Sequence, residues 1–153
     1  MIQNETEVKF RVSDFAPVVR ELKRVGGRLD WKGTERTVYF DTPSGTLRKL
    51  GSTLRLREWN RHSVSLTYKG KQKGGKRFKV REELQVELDD LATAKRMLLR
   101  LGFAAGLRYA KHREHWILRR TVIELDTIAG RRFVEVEGTK SAIERMARRL
   151  GLD

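Results

Sequence analysis

The stretch Glu5-Thr6-Glu7-Val8-Lys9 sets two carboxylates and an ammonium group at alternate positions. Side chains alternate across an extended strand, so Glu5, Glu7, Lys9 and Arg11 share one face and Val8, Phe10 and Val12 the other. Paired carboxylates suit a hard, oxygen-preferring divalent cation, and an adjacent ammonium suits an anionic ligand of that cation. Taken alone, such a face is more commonly the solvated side of an edge strand. The chemistry therefore has to be weighed against the rest of the chain.

The same patterning recurs. Arg55 and Arg57 alternate with Leu54 and Leu56, and Ser65, Thr67 and Lys69 oppose Val64, Leu66 and Tyr68. Across 78–88, Lys79, Arg81, Glu83, Gln85 and Glu87 oppose Val80, Glu82, Leu84, Val86 and Leu88. Tyr109, Lys111, Arg113 and His115 share a face of 106–118, Glu124 and Asp126 oppose Ile123 and Leu125, and Phe133, Glu135 and Glu137 oppose Val134 and Val136. The ionic faces thus collect the carboxylates Glu5, Glu7, Glu83, Glu87, Glu124, Asp126, Glu135 and Glu137. They also collect the cations Lys9, Arg11, Arg55, Arg57, Lys69, Arg81, Lys111 and Arg113. Such charges are costly to desolvate without partners. A divalent metal satisfies an acidic cluster and a polyphosphate a basic one, with Arg giving bidentate contacts and Lys point charges. The inferred ligand is a metal-bound polyphosphate.

These faces need elements to hold them. Ser13 or Asp14 is placed to cap a helix in which Phe15, Val18, Val19, Leu22 and Val25 recur at helical spacing, stopped by Gly26-Gly27. Residues 28–41 read as extended, Thr42-Pro43-Ser44-Gly45 as a turn, and Leu47 to Leu50 as a short helical turn closed by Gly51. Strands follow at 52–59 and 64–70, turned by Asn60-Arg61, then a basic glycine-rich loop at 70–75 and a strand at 78–88. Asp89-Asp90 caps a helix over Leu91, Ala94, Met97, Leu98 and Leu101. Strands at 106–118, 122–128 and 132–137 are joined at Arg119-Arg120 and Ala129-Gly130. A last helix over 141–150 turns Ile143, Met146, Ala147 and Leu150 inward and Arg145, Arg148 and Arg149 outward. Short turns imply antiparallel pairing. If the helices cover the apolar faces, the ionic faces meet, and the sheet closes into a barrel or tunnel with a polar lumen. The predicted fold is α+β: antiparallel strands closed around a polar lumen and flanked by helices, as one domain over 1–153.

Composition is consistent with this. At 153 residues the chain can bury roughly 70% of its unfolded surface. It is 39% hydrophobic and 35% charged, without cysteine, so disulfides and thiolate metal sites are excluded. No apolar run approaches a membrane span and no signal-peptide pattern is present, so a cytoplasmic protein without membrane association is expected. A net charge of +14 implies an anionic partner. Nucleic acid fits the charge but leaves the acidic pairs unexplained. A homodimer is left open.

Several other motifs are set aside. Gly70 to Lys76 has phosphate-loop spacing, but Arg77 follows in place of Ser or Thr, and then a strand. His112 and His115 fall on opposite faces of one strand, and His115 reads better as a surface residue than as lining the lumen. Trp31, Trp59 and Trp116 read as packing residues. No nucleophile elbow supports a Ser/His/Asp triad.

The ordered motifs resemble the CYTH domains, a branch of the triphosphate tunnel metalloenzymes. The resemblance rests on Glu5-Thr6-Glu7-Val8-Lys9, Tyr39 to Thr42, Leu47-Arg48, Gly51, Leu54-Arg55-Leu56-Arg57 and Lys69-Gly70. It continues through Arg81, Glu83, Lys111, Arg113, Glu124-Leu125-Asp126 and Glu135 to Gly138, nearly the whole chain. It implies an eight-stranded antiparallel tunnel that binds a triphosphate with Mg²⁺ or Mn²⁺. By position it implies Glu5, Glu7, Asp126, Glu135 and Glu137 as metal ligands, with Glu83 accessory. It likewise implies Lys9, Arg55, Arg57, Lys69, Arg81, Lys111 and Arg113 as triphosphate-binding residues, with Glu5, Glu7, Lys9 and Lys69 central to catalysis. Gln85 departs from the family's second acid on that strand, with Glu87 a candidate substitute. Thr53 stands where animal thiamine triphosphatases carry Trp, which argues against thiamine triphosphate. The resemblance implies a triphosphatase acting on inorganic, nucleoside or other organic triphosphates. An adenylyl cyclase releasing pyrophosphate from ATP is the alternative, and an RNA 5′-triphosphate or nucleic-acid binder the third.

Overall fold

The computed structural model describes residues 2–152, apart from 61–62, 74–77 and the side chains of 2–5. Twelve elements follow in the order β1 (Ile2–Val12), α1 (Ala16–Arg24), β2 (Arg28–Asp41), α2 (Thr46–Lys49), β3 (Thr53–Trp59), β4 (Ser63–Lys69), β5 (Lys79–Leu88), α3 (Leu91–Arg100), β6 (Ala104–Leu118), β7 (Thr121–Ile128), β8 (Arg131–Glu137) and α4 (Lys140–Leu150). The eight strands form a closed antiparallel barrel in the order β1-β5-β4-β3-β2-β6-β7-β8, flanked by the helices. The chain divides into two compact units, one of residues 1–4, 34–73 and 80–110, the other of 5–33, 74–79 and 111–153.

In the first unit β2, β3, β4 and β5 form a continuous ladder. Its rungs include Tyr39↔Arg55↔Thr67↔Gln85 and Val38↔Leu56↔Leu66↔Val86. Alternate rungs are ionic and apolar, as a period of two requires. α3 packs on β3, where buried Leu98 meets Phe40 and Leu56, with Leu54, Leu66, Leu91 and Ala94 around them. The Asp90 side chain caps α3 by accepting from the Thr93 N–H at 3.0 Å and the Thr93 hydroxyl at 2.7 Å, as its sequence position predicts. One expectation fails here. The apolar face of β5 is not fully covered: Leu84 is 37% and Val86 53% exposed.

In the second unit β1, β8, β7 and the C-terminal half of β6 form the ladder. Val8↔Val136↔Ile123↔Trp116 is its apolar rung. α4 lays Ile143, Met146, Ala147 and Leu150 on this face, and α1 adds Val18 and Leu22. Thr139 caps α4 by accepting the Ala142 N–H at 3.2 Å. α1 starts differently from the sequence expectation. Its N-cap is Phe15, without a side-chain cap bond, and Asp14 accepts only the Ala16 N–H at 3.2 Å. Pro17 in the first turn needs no N–H partner there, which lowers the demand for a cap. At the other end Gly27 accommodates a close approach. A Cβ there would lie 2.9 Å from the Leu22 carbonyl oxygen. Among the described residues no helix is long and apolar enough to cross a membrane.

The loop at 42–45 is fixed by one carboxylate. Asp41 accepts the N–H groups of Thr42 at 2.7 Å, Leu47 at 2.9 Å and Arg48 at 3.0 Å, closing α2 back onto the end of β2. Burial pushes this carboxyl up, but the N–H donors of Leu47, Arg48 and Thr42 together outweigh it and hold it below the usual Asp value. A folded value below the unfolded one stabilises the fold above the unfolded pKa of about 3.9, and that stability is lost as pH falls through the folded value. Asp41→Asn should therefore lower Tm at pH 7, with the gap to wild type closing as pH falls below about 3.9. A gap that does not change with pH in thermal melts would show that the charge plays no part.

Candidate functional site

The second unit gathers a carboxylate centre on its ionic face. Two successive rungs build it: His115↔Glu124↔Glu135↔Lys9 and Arg113↔Asp126↔Phe133↔Arg11. Asp126 is fully buried. Arg113 grips it bidentately, Nε to Oδ1 and Nη2 to Oδ2, both at 2.6 Å, while Lys111 Nζ donates to Oδ2 at 3.0 Å. Arg113 also reaches Glu135 at 3.1 Å and pairs with Glu124, and Lys9 Nζ donates to Glu135 Oε1 at 2.6 Å. Burial pushes the Glu135 carboxyl up, but the combined pull of Arg113, Lys111 and Lys9 overrides it and holds the group well below the usual carboxylate range. Glu135 is therefore ionised at neutral pH.

One oxygen each from Glu124, Asp126 and Glu135 lie within 4.8 Å of one another. Three converging hard donors fit Mg²⁺ or Mn²⁺ and would not suit a soft metal. Glu7 and Glu137 sit opposite each other on the next rung of β1 and β8. The side chain of Glu5 lies outside the described residues. Arg11 is exposed near the end of β1, opposite Phe133, which corrects its expected place in the lumen. A strand end lets its guanidinium keep its hydration.

His115 departs from the surface reading. It lies on the ionic face, its Nδ1 3.2 Å from Glu124 Oε1, with its ring stacked on Trp31 at a 5.9 Å centroid separation and 10° tilt. Trp31 and Trp59 likewise belong to ionic faces, Trp59 carrying the Arg57 guanidinium 5.2 Å over its ring. Only Trp116, 3% exposed, is the core residue the sequence suggests for all three. Strand parity placed Trp31 and Trp59 with Glu35 and Thr37, but their apolar character masked it.

The first unit gathers cations on its ionic rungs. Arg57 lies 3.6 Å from Glu35 and donates to Gln85 Oε1 at 3.1 Å, which also accepts from Thr67 at 3.0 Å. Lys69 pairs with Glu83 at 3.0 Å, and half-buried Arg81 reaches Gln72 at 3.4 Å. Arg55 is different. Its Nε, like that of Arg57, is buried without a hydrogen-bond partner, but unlike Arg57 it forms no ion pair among the described residues. Burial pulls its pKa down, but Tyr39, Glu35, Tyr109 and Glu83 raise it on balance, so it stays charged. Glu35, only 1% exposed, is a residue the sequence reading missed. Alternation along β2 with Thr37 and Tyr39 was the available signal. Glu87 corrects another expectation: it is exposed, near the end of β5, and does not replace the acid missing at Gln85. Gln85 is instead used to hold Arg57.

The family model of the CYTH domain matches residues 3–148. A Methanocaldococcus jannaschii protein, named provisionally as an adenylate cyclase, is 29% identical over 91% of this chain and 79% of its own. A solved Pyrococcus horikoshii structure is 29% identical with a TM-score of 0.80, covering 97% of this chain and 91% of that one. A Hippeastrum structure, described as an adenylyl cyclase with dominant triphosphatase activity, shares the fold at a TM-score of 0.74 and 18% identity, over 97% of this chain and 88% of that one. The match runs from β1 into α4 and takes in both the carboxylate centre and the cationic rungs, so this chain belongs to the CYTH domain family.

Proposed function

We propose that the protein is a divalent-metal-dependent triphosphatase acting on inorganic or nucleoside triphosphates. The observation that carries this reading is Arg55: a half-buried guanidinium whose Nε is buried without a hydrogen-bond partner and which closes no ion pair among the described residues, in a chain that also holds three converging carboxylates. A bound phosphate chain would satisfy the first and a hard metal the second.

Glu124, Asp126 and Glu135 would hold the metal, with Glu7, Glu137 and Glu5 as further acidic ligands and Glu83 accessory. A metal held there would supply Lewis-acid charge neutralisation. Arg55, Arg57, Arg81 and Arg113 bind phosphate oxygens through planar forks, and Lys9, Lys69 and Lys111 act as point charges. Water oxygen bonds to the terminal phosphorus as the bond to the bridging oxygen breaks, giving orthophosphate and a diphosphate product. The loose transition state asks for position and charge rather than a covalent nucleophile. Gln85 and Glu35 act through Arg57 by fixing its guanidinium. The name of the Methanocaldococcus relative favours a second reading, attack of the ribose 3′-hydroxyl on the α-phosphorus with pyrophosphate leaving.

Product analysis with Mn²⁺ or Mg²⁺ separates the readings. Orthophosphate from inorganic triphosphate and ATP is expected. Cyclic AMP with pyrophosphate would replace the triphosphatase reading by the cyclase one, and no turnover of either substrate would count against both. Glu7→Gln should abolish metal-dependent turnover while leaving Tm within a few degrees of wild type. Arg55→Ala should raise KM about ten- to a hundred-fold, the range of a lost charge-assisted hydrogen bond. Mn²⁺ at about a hundred times its Kd should stabilise the wild type by about 2.7 kcal/mol. Thermal melts should show most of that gain lost in Glu124→Gln, and an undiminished gain would remove Glu124 from the metal set.

A further inference from the structure

Away from both centres, the second unit carries a groove of about 560 Å³ lined by cations of one kind. Arg119 and Arg120 come from the β6–β7 turn, and Arg145 and Arg149 from one face of α4, four residues apart. All four are exposed, and Leu118 and Met146 lie between them. No carboxylate is among the residues that line it. Glu21 touches Arg149 at 3.3 Å from α1 but also pairs with Arg24.

The β6–β7 turn holds two of these arginines at the groove. Leu118 pairs with Thr121, so Arg119 and Arg120 form a two-residue hairpin loop. Arg119 has φ +56°, in the left-handed region that favours Gly or Asn. Ala129, at the equivalent position of the β7–β8 hairpin, takes φ +48°, so the conformation belongs to the tight turn. The Arg119 side chain makes no hydrogen bond or ion pair with another described residue to offset the strain. Arg119 thus lines the groove beside three more arginines with its guanidinium uncommitted among the described residues.

We propose that this groove binds the phosphate backbone of nucleic acid. All four cations are arginine, whose fork matches phosphate bidentately. No aromatic side chain lines the groove, so it offers no stacking platform and contact is with backbone rather than bases. The net charge of +14 draws a polyanion in from a distance. The proposal stands apart from the triphosphatase reading and does not need it.

Fluorescence anisotropy of the intact protein with a labelled oligouridylate tests it across a salt series. Wild type should bind with a log–log salt slope near about −3, the value for four phosphates on a single strand. Arg145→Gln/Arg149→Gln should weaken binding at least about tenfold and reduce the slope by about 1.4. Arg148→Gln, on α4 outside the groove, should stay within about twofold, as expected when it neutralises no bound phosphate. Arg119→Gly should weaken binding while keeping or raising Tm, because glycine relieves the left-handed backbone. That variant keeps the test valid if the double variant unfolds. Equal loss in Arg148→Gln would show diffuse charge and overturn the groove. Displacement by stoichiometric inorganic triphosphate would overturn it by moving the contact to the phosphate-binding centre. Equal displacement by polyglutamate would overturn the phosphate assignment, and absence of binding near physiological salt would overturn the proposal outright.

Discussion

Asp126 is fully shielded from solvent, and Arg113 and Lys111 meet its carboxylate oxygens there. An isolated carboxylate in that position would be neutralised or expelled. Much of the second unit follows from meeting this demand. β6 and β7 must pair so that Arg113 faces Asp126, and a slip of one residue would turn the guanidinium into the cluster of Ile123, Leu125 and Val134. The apolar rungs and α4 therefore fix register as much as they supply burial. Breaking such a pair from one side costs about 3–5 kcal/mol, because the partner is left buried and charged.

The first unit solves the same problem incompletely. Arg57 has Glu35 and Gln85, and Lys69 has Glu83. Arg55 has neighbouring tyrosines and carboxylates that keep it charged without closing an ion pair on it. Gln85 contributes here by being neutral. An acid at that position would compete for Arg57 and add negative charge to a surface read as taking phosphate.

The ionic faces were legible because strand alternation in short, well-bounded segments is a strong signal, and Lys111, Arg113, Glu124, Asp126 and Glu135 fall where it puts them. The exceptions have physical reasons. Arg11 and Glu87 obey the alternation but sit near strand ends, where water competes with the interior. His115 and Trp31 were misread because residue type was allowed to outweigh parity, although their stacked rings sit on the face parity predicts. Glu35 escaped notice inside a long, weakly patterned strand. The partial exposure of Leu84 and Val86 could not be read locally, since it depends on where α3 docks and not on β5 itself.

The hydrogen bonds that now join Lys9 and Arg113 to Glu135 have a consequence for how ligands sense one another. A cation seated on those carboxylate oxygens competes with the ammonium and guanidinium that hold them. The released side chains then become better hosts for an anion, and an anion that draws them away leaves the oxygens readier for a cation. If both ligands bind there, the two affinities would be linked, and by thermodynamic reciprocity each would strengthen the other by the same factor. Under the proposed function, the ion pairs of Lys9 and Arg113 with Glu135 would act as a placeholder that a metal and its polyanion replace together.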